Sequence, residues 1–111
     1  MKVRLIIQDS IDSYAKNNAN SRSAFENWCT TVKGARWNNI NDIKETFNTA
    51  DPLGNNSDRI VFDVGGNNYR MICKYHFGKD YVHLFIKWIG THAEYDKLCK
   101  KNLQYSVDDF D

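Results

Sequence analysis

The stretch from Arg59 to Ile89 reads RIVFDVGGNNYRMICKYHFGKDYVHLFIKWI, and its reading decides the fold. Apolar and polar residues alternate with a period of two over Arg59 to Val64, Asn68 to Phe77 and Tyr81 to Ile89. Gly65-Gly66-Asn67 and Gly78-Lys79-Asp80 supply the turn chemistry between these runs, so the three form an antiparallel meander. Successive side chains of a strand point to opposite faces. One face therefore collects Ile60, Phe62, Val64, Tyr69, Met71 and Cys73, then Tyr75, Phe77, Val82, Leu84, Ile86 and Trp88, and is expected to be core. The other collects Arg59, Asp63, Arg70, Lys74, His76, Tyr81, His83 and Lys87, with Val61, Ile72, Phe85 and Ile89 among them. Cations and aromatic rings on one open sheet face suit a phosphate backbone with unstacked bases. The competing reading is a wet face that carries Lys and Arg only for solubility and to discourage edge pairing.

Upstream of the meander the period becomes helical. After a short strand at Val3 to Ile7, apolar residues recur as Ile11, Tyr14, Ala15, then Phe25, Trp28, Cys29, Val32, then Ile40, Ile43, Phe47. Three helices are expected, the second ended by Gly34 and the third capped by Asn38, Asn39 or Asn41. The only proline, Pro52, lies in a turn-rich stretch from Asp51 to Asp58 that separates helices from strands. Downstream, Thr91-His92-Ala93-Glu94 is a capping box, which starts a last helix with Tyr95, Leu98, Cys99 and Leu103 as its apolar positions. The end, Ser106 to Asp111, reads as a solvated acidic tail. The fold class is α+β, helices packed on one face of a small antiparallel sheet with a C-terminal helix.

The 111 residues form a single domain, with residues 105–111 as its tail, and can bury one core. With 41% hydrophobic and 26% charged residues the composition is that of an ordinary globular protein and excludes a disordered or collagen-like chain. No segment is apolar enough for a signal sequence or membrane span, which leads to the expectation of a cytoplasmic protein that meets no membrane. Three widely spaced cysteines, Cys29, Cys73 and Cys99, suit a reducing compartment and give no metal signature. The formal net charge is only +1, but residues 64–104 hold seven basic against three acidic side chains. The basic excess thus belongs to the strands and the last helix.

The segment Arg59 to Ile72, followed by Phe85-Ile86-Lys87-Trp88-Ile89-Gly90-Thr91-His92-Ala93-Glu94-Tyr95-Asp96, resembles the HigB toxins within the RelE-like superfamily. These share a similar VGGN hairpin followed by an arginine, and a THAEYD-like helix start in the same order. The resemblance is specific over roughly residues 59–96. It implies a RelE-like scaffold and the toxin of a type II toxin–antitoxin pair, an endoribonuclease acting on messenger RNA, in all expectation on the ribosome. It also implies a HigA-type antitoxin as partner. The implied reaction needs no metal or other cofactor, because the ribose 2′-hydroxyl itself attacks the adjacent phosphorus. Two departures stand out: the chain is less basic than most RelE-like toxins, and its acidic tail falls where some relatives have a functional C-terminus.

Such a reaction needs a base for the hydroxyl, an acid for the leaving 5′-oxygen and positive charge on the transition state. Arg70 matches the hairpin arginine and can hold phosphate oxygens through a planar guanidinium. Lys74 and Lys87 share its face and could neutralise phosphate or move a proton. His92, just past the Thr91 cap, is the foremost proton-transfer candidate. Asp96, four residues on, lies on the same side of the helix and can orient the imidazole, while Tyr95 can stack on a base or serve the core. Arg59, Arg70, Lys74, His76, His83 and Lys87 are the candidate RNA-binding residues. His76 and His83 could face each other across their turn, but two histidines fall short of a zinc complement, so no metal site is expected. The rivals to catalysis are a ParE-like toxin that binds gyrase and a plain RNA-binding domain.

Overall fold

The computed structural model describes residues 1–6 and 8–110. Strand β1 (Lys2–Ile6) leads into helix α1 (Gln8–Asn17), a short 3-10 turn (Ala19–Ser21), helix α2 (Arg22–Gly34) and helix α3 (Ile40–Thr46). Strands β2 (Asp51–Pro52), β3 (Arg59–Val64), β4 (Tyr69–Phe77) and β5 (Tyr81–Thr91) follow, and helix α4 (His92–Lys100) comes after them. The sheet order is β1-β5-β4-β3-β2. All pairings are antiparallel except that of β1, which lies parallel beside β5. The α+β expectation holds, and the expected strand at Val3 to Ile7 is present as β1, with Ile7 outside the described residues.

Helices α1 to α3 close one face of the sheet. Ile11, Phe25, Trp28, Val32, Trp37 and Ile43 are buried there against Ile60, Phe62, Val64, Met71, Leu84 and Ile86. Phe62 meets both Trp28 and Phe47 edge to face, each at 5.2 Å between centroids; such geometry is favoured because the positive ring edge meets the negative face. Asn39 caps α3 by accepting from the Asp42 amide, as one of the three expected caps. At the β3–β4 turn Gly65 and Gly66 have φ of +66° and +63°, the left-handed region that glycine enters without penalty. A Cβ on Gly65 would also stand 3.2 Å from that of Ala24 on α2, so this turn packs tightly against the helix layer.

Three expectations are corrected. First, Trp88 and Ile89 exchange faces. Ile72 pairs with Trp88 but Cys73 pairs with Ile86, so Lys87 is the extra residue of a β-bulge. Ile89 therefore joins the helix-covered core, while Trp88 packs with Val61 and Ile72 on the opposite face. Second, part of the turn-rich stretch is a strand, because Asp51 and Pro52 pair with Val61 and Ile60 at the sheet edge; proline is tolerated at an edge, where its missing N–H breaks no ladder. Third, the acidic end is not a free tail. Val107 packs on the Val61, Ile72 and Trp88 cluster together with Leu53, Tyr95 and Leu98. The Asp109 amide donates to the Lys87 carbonyl at 2.9 Å, and Phe110 packs against the main core.

Candidate functional site

The N-terminus of α4 is built as the sequence requires. The Thr91 hydroxyl accepts from the Glu94 amide at 3.2 Å and the Glu94 carboxylate accepts from the Thr91 amide at 2.8 Å, completing the capping box. This fixes the first helical residue, His92, whose own amide donates to the Asn68 carbonyl at 3.0 Å. The His92 Nε2 lies 3.4 Å from the Asp96 Oδ2, and the two side chains are 44% and 56% exposed. The ring's other nitrogen, Nδ1, is shielded from solvent and has no hydrogen-bond partner among the described residues. His92 thus presents a held imidazole edge at the surface, with a carboxylate one turn along to set its orientation.

Of the two roles that the sequence left open for Tyr95, the structure shows the core one. Its ring packs with Trp88 at 6.0 Å and belongs to the second apolar cluster. Burial pushes its phenol well above the usual tyrosine range, a side-chain hydrogen bond with Cys99 adds to this, and the nearby Arg70 opposes it. Tyr95 therefore stays protonated at neutral pH and can donate a hydrogen bond but not act as a base.

Arg70 sits across from Asp63 on β3 and Gly90 on β5. Its side chain is only 9% exposed, and its Nε is 3.1 Å from Asp63 Oδ1. The same guanidinium donates from Nη1 to the Tyr69 carbonyl at 3.0 Å and from Nη2 to the Asn67 side chain. Arg70 thus braces the glycine turn with three of its N–H groups, and its charge is tied to these partners rather than reaching freely into solvent. Asn67, which the sequence offered only as a turn residue, is part of that brace.

The remaining cations lie elsewhere. Lys74 is exposed and pairs across to Arg59 and Phe85. It is four residues from Arg70 along β4, about 13 Å at the usual strand rise. Between them stands the apolar band of Val61, Ile72 and Trp88, covered by α4 and Val107. The single cationic face expected from the sequence is therefore divided, with His92, Asp96, Arg70 and Tyr95 at one end and Lys74, His76 and His83 toward the other. Arg59 is buried and donates to the carbonyls of Gln104 at 3.2 Å and Val107 at 2.7 Å, and burial lowers its pKa. Lys87, on the bulge, pairs with Asp108 at 3.2 Å. These contacts bring Gln104, Val107 and Asp108 onto the face, which the acidic character of the tail had hidden; the apolar Val107 and Phe110 within it were the available signal.

His76 and His83 face each other as expected, with ring centroids 6.0 Å apart. Among the described residues no group of three or more His, Cys, Asp or Glu side chains comes together. One groove lies between α1 and α2, lined by Ile11, Asp12, Phe25, Glu26 and Lys33, away from α4, and another runs along α4, lined by Trp88, Glu94, Lys97 and Leu98.

A family model described as HigB_toxin, the RelE-like toxic component of a toxin–antitoxin system, matches residues 21–98. The chain belongs to this family. The HigB match contains all of His92, Arg70, Lys74, Lys87, Tyr95 and Asp96, whereas β1 and the docked C-terminal segment lie outside it. As a HigB-family toxin the protein has an antitoxin as its natural counterpart. It is also 28% identical over 98 residues to the mRNA interferase HigB of Escherichia coli O6:H1 (strain CFT073), an alignment covering 88% of this chain and 93% of the relative. No helix among the described residues is long and apolar enough to cross a membrane.

Proposed function

We propose that this HigB-family toxin is an endoribonuclease that cuts messenger RNA on the ribosome and is neutralised by a HigA-type antitoxin. The observation that carries the reading is the His92–Asp96 pair, 3.4 Å apart on the capped first turn of α4 beside the buried Arg70 charge. In this reading the 2′-hydroxyl attacks the adjacent phosphorus, the P–O5′ bond breaks, and the products are a 2′,3′-cyclic phosphate and a free 5′-hydroxyl. His92, oriented by Asp96, moves a proton at the reacting oxygens. Arg70 supplies positive potential to the crowded phosphate, held in place by Asp63 and Asn67, and Tyr95 donates a hydrogen bond or stacks on a base. Lys74 holds the flanking backbone, joined by Lys87 and Arg59 when the C-terminal segment gives way. These side chains supply proton transfer and charge themselves, so the proposed step needs no metal.

The test is purified protein incubated with a translated mRNA, with and without ribosomes, followed by analysis of the product ends. Cleavage leaving 2′,3′-cyclic phosphates, much faster on ribosome-bound message, is expected. Intact RNA under both conditions, with inhibition of DNA gyrase instead, would overturn the reading.

A further inference from the structure

The parallel pairing of β1 with β5 builds a second surface that the chemistry at α4 does not use. Arg4 lies directly across from His83, and Lys2 from Tyr81; opposed residues of paired strands share a face. Across β5's other edge His76 opposes His83 and Lys74 opposes Phe85. Arg4, Tyr81, His83, Phe85, His76 and Lys74 therefore form one strip at the end of the sheet away from α4. The rings are ordered against one another. His83 stacks on Phe85 with centroids 6.3 Å apart and planes 29° apart. His76 meets His83 edge to face at 6.0 Å, and the Arg4 guanidinium lies 4.4 Å over the Tyr81 ring. Arg4, Lys74, His76 and Tyr81 are exposed, Tyr81 being one of few large apolar side chains left in solvent among the described residues. Asp80, in the adjoining turn, is the acidic side chain nearest along the chain.

A face built only for solubility would scatter its cations. Here two fixed cations, Arg4 and Lys74, flank four rings, and the Arg4 guanidinium lies over the Tyr81 ring, the pairing of charge and aromatic surface that single-stranded nucleic acid requires. From Phe85 to Thr91 is six residues of strand, about 20 Å, so a bound strand several nucleotides long would reach from the strip to His92. We propose that the strip is an accessory site for single-stranded RNA, gripping the strand that flanks the cut without touching the reacting atoms. This rests on the protein being an RNA-cutting toxin, although binding at the strip is measurable without cleavage.

The experiment uses the full chain carrying His92→Ala, so that RNA stays intact, and follows anisotropy of fluorescein-labelled 20-mer oligouridine. Tyr81→Ala should weaken the 20-mer about 5- to 150-fold, from the usual 1–3 kcal/mol per stacked base. Arg4→Gln should lower the slope of log affinity against log salt by about 0.7, one phosphate contact on a single strand. In the catalytically intact background neither change should alter the cleavage rate at saturating ribosome-bound message, because the strip does not touch the reacting atoms. Unchanged affinity for the 20-mer in both variants would overturn the proposal, as would equal losses for a duplex DNA of the same length, which would mark a general polyanion surface. Should the protein cut no RNA while both variants still lose the 20-mer, the strip stands and the nuclease reading falls.

Discussion

Gly90 is the residue whose replacement should show most sharply how the sheet holds α4 in place. Its φ is not in the left-handed region, so alanine there meets no backbone penalty and the effect is purely steric. A Cβ would stand 2.5 Å from two carbons of the Trp88 indole and 3.1 Å from a Glu94 carboxylate oxygen. Ordinary contact needs about 1 Å more, and Trp88 is 8% exposed, wedged between Ile72, Tyr95 and Leu98. Overpacking of this kind costs about 1–3 kcal/mol. Taking about 2 kcal/mol, the melting temperature should fall by about 9 °C for a domain of this size. Because the Trp88 ring seats Tyr95, displacing it should shift α4, and RNA cleavage should drop even at temperatures where the variant is folded. Differential scanning calorimetry of Gly90→Ala, Trp88→Phe and the double variant reads the coupling. The smaller ring should relieve the clash, so the double variant should lose clearly less than the sum of the single losses. A Gly90→Ala protein that melts with the wild type, or strict additivity, would refute this account.

Other outcomes follow from the same geometry. Thr91→Ala removes the cap at a cost of about 1 kcal/mol and should melt earlier yet cleave at a similar rate below its transition, whereas Asp96→Asn should slow cleavage with little change in melting if the carboxylate orients His92. Arg59→Ala should release the segment around Gln104 to Asp108, seen as faster amide exchange and proteolysis there, and a variant as protected as the wild type would deny Arg59 its clasping role. Burial raises the Cys73 thiol above its ordinary 9.0 and the phenols of Tyr14, Tyr75 and Tyr95 above 10.0. A group whose pKa is raised in the folded state stabilises fully below its unfolded value and loses that contribution as pH rises towards the folded one. The urea midpoint should therefore be insensitive to these groups up to about pH 9 and fall above it, less steeply in Cys73→Val; a midpoint level to pH 11 would contradict the burial argument.

The strands, their turns and the α4 cap were legible because each rests on local chemistry: period-two alternation, paired glycines with positive φ at Gly65 and Gly66, and a hydroxyl and carboxylate spaced to cap. The exchange of Trp88 and Ile89 was not, since alternation assumes unbroken pairing and both residues are large and apolar; only the register beside Ile72 reveals the extra residue at Lys87. Arg59 read as a surface cation because its partners, the carbonyls of Gln104 and Val107, lie 45 and 48 residues away and carry no side-chain signature. The tail read as solvated because its acids outweigh Val107 and Phe110 in any local window. Strand order was equally hidden, so the place of Arg4 beside His83 emerges only from the fold. At the candidate site, His92 with Asp96 was visible from helical spacing, whereas the division of the cationic face was not, because it depends on what α4 and the tail cover.

The central claim, that His92 moves a proton in RNA cleavage, is tested most directly by pulse expression of wild-type and His92→Ala protein in bacteria, with transcriptome-wide mapping of RNA 5′ ends and matched thermal melts of the purified chains. The wild type should generate new 5′ ends inside translated reading frames, lost when ribosome loading is blocked. His92→Ala should melt close to the wild type and generate those ends about 100- to 10,000-fold more slowly. A folded His92→Ala protein that cuts the same sites at the wild-type rate would contradict the account and shift the proton transfers to Lys74 or Lys87.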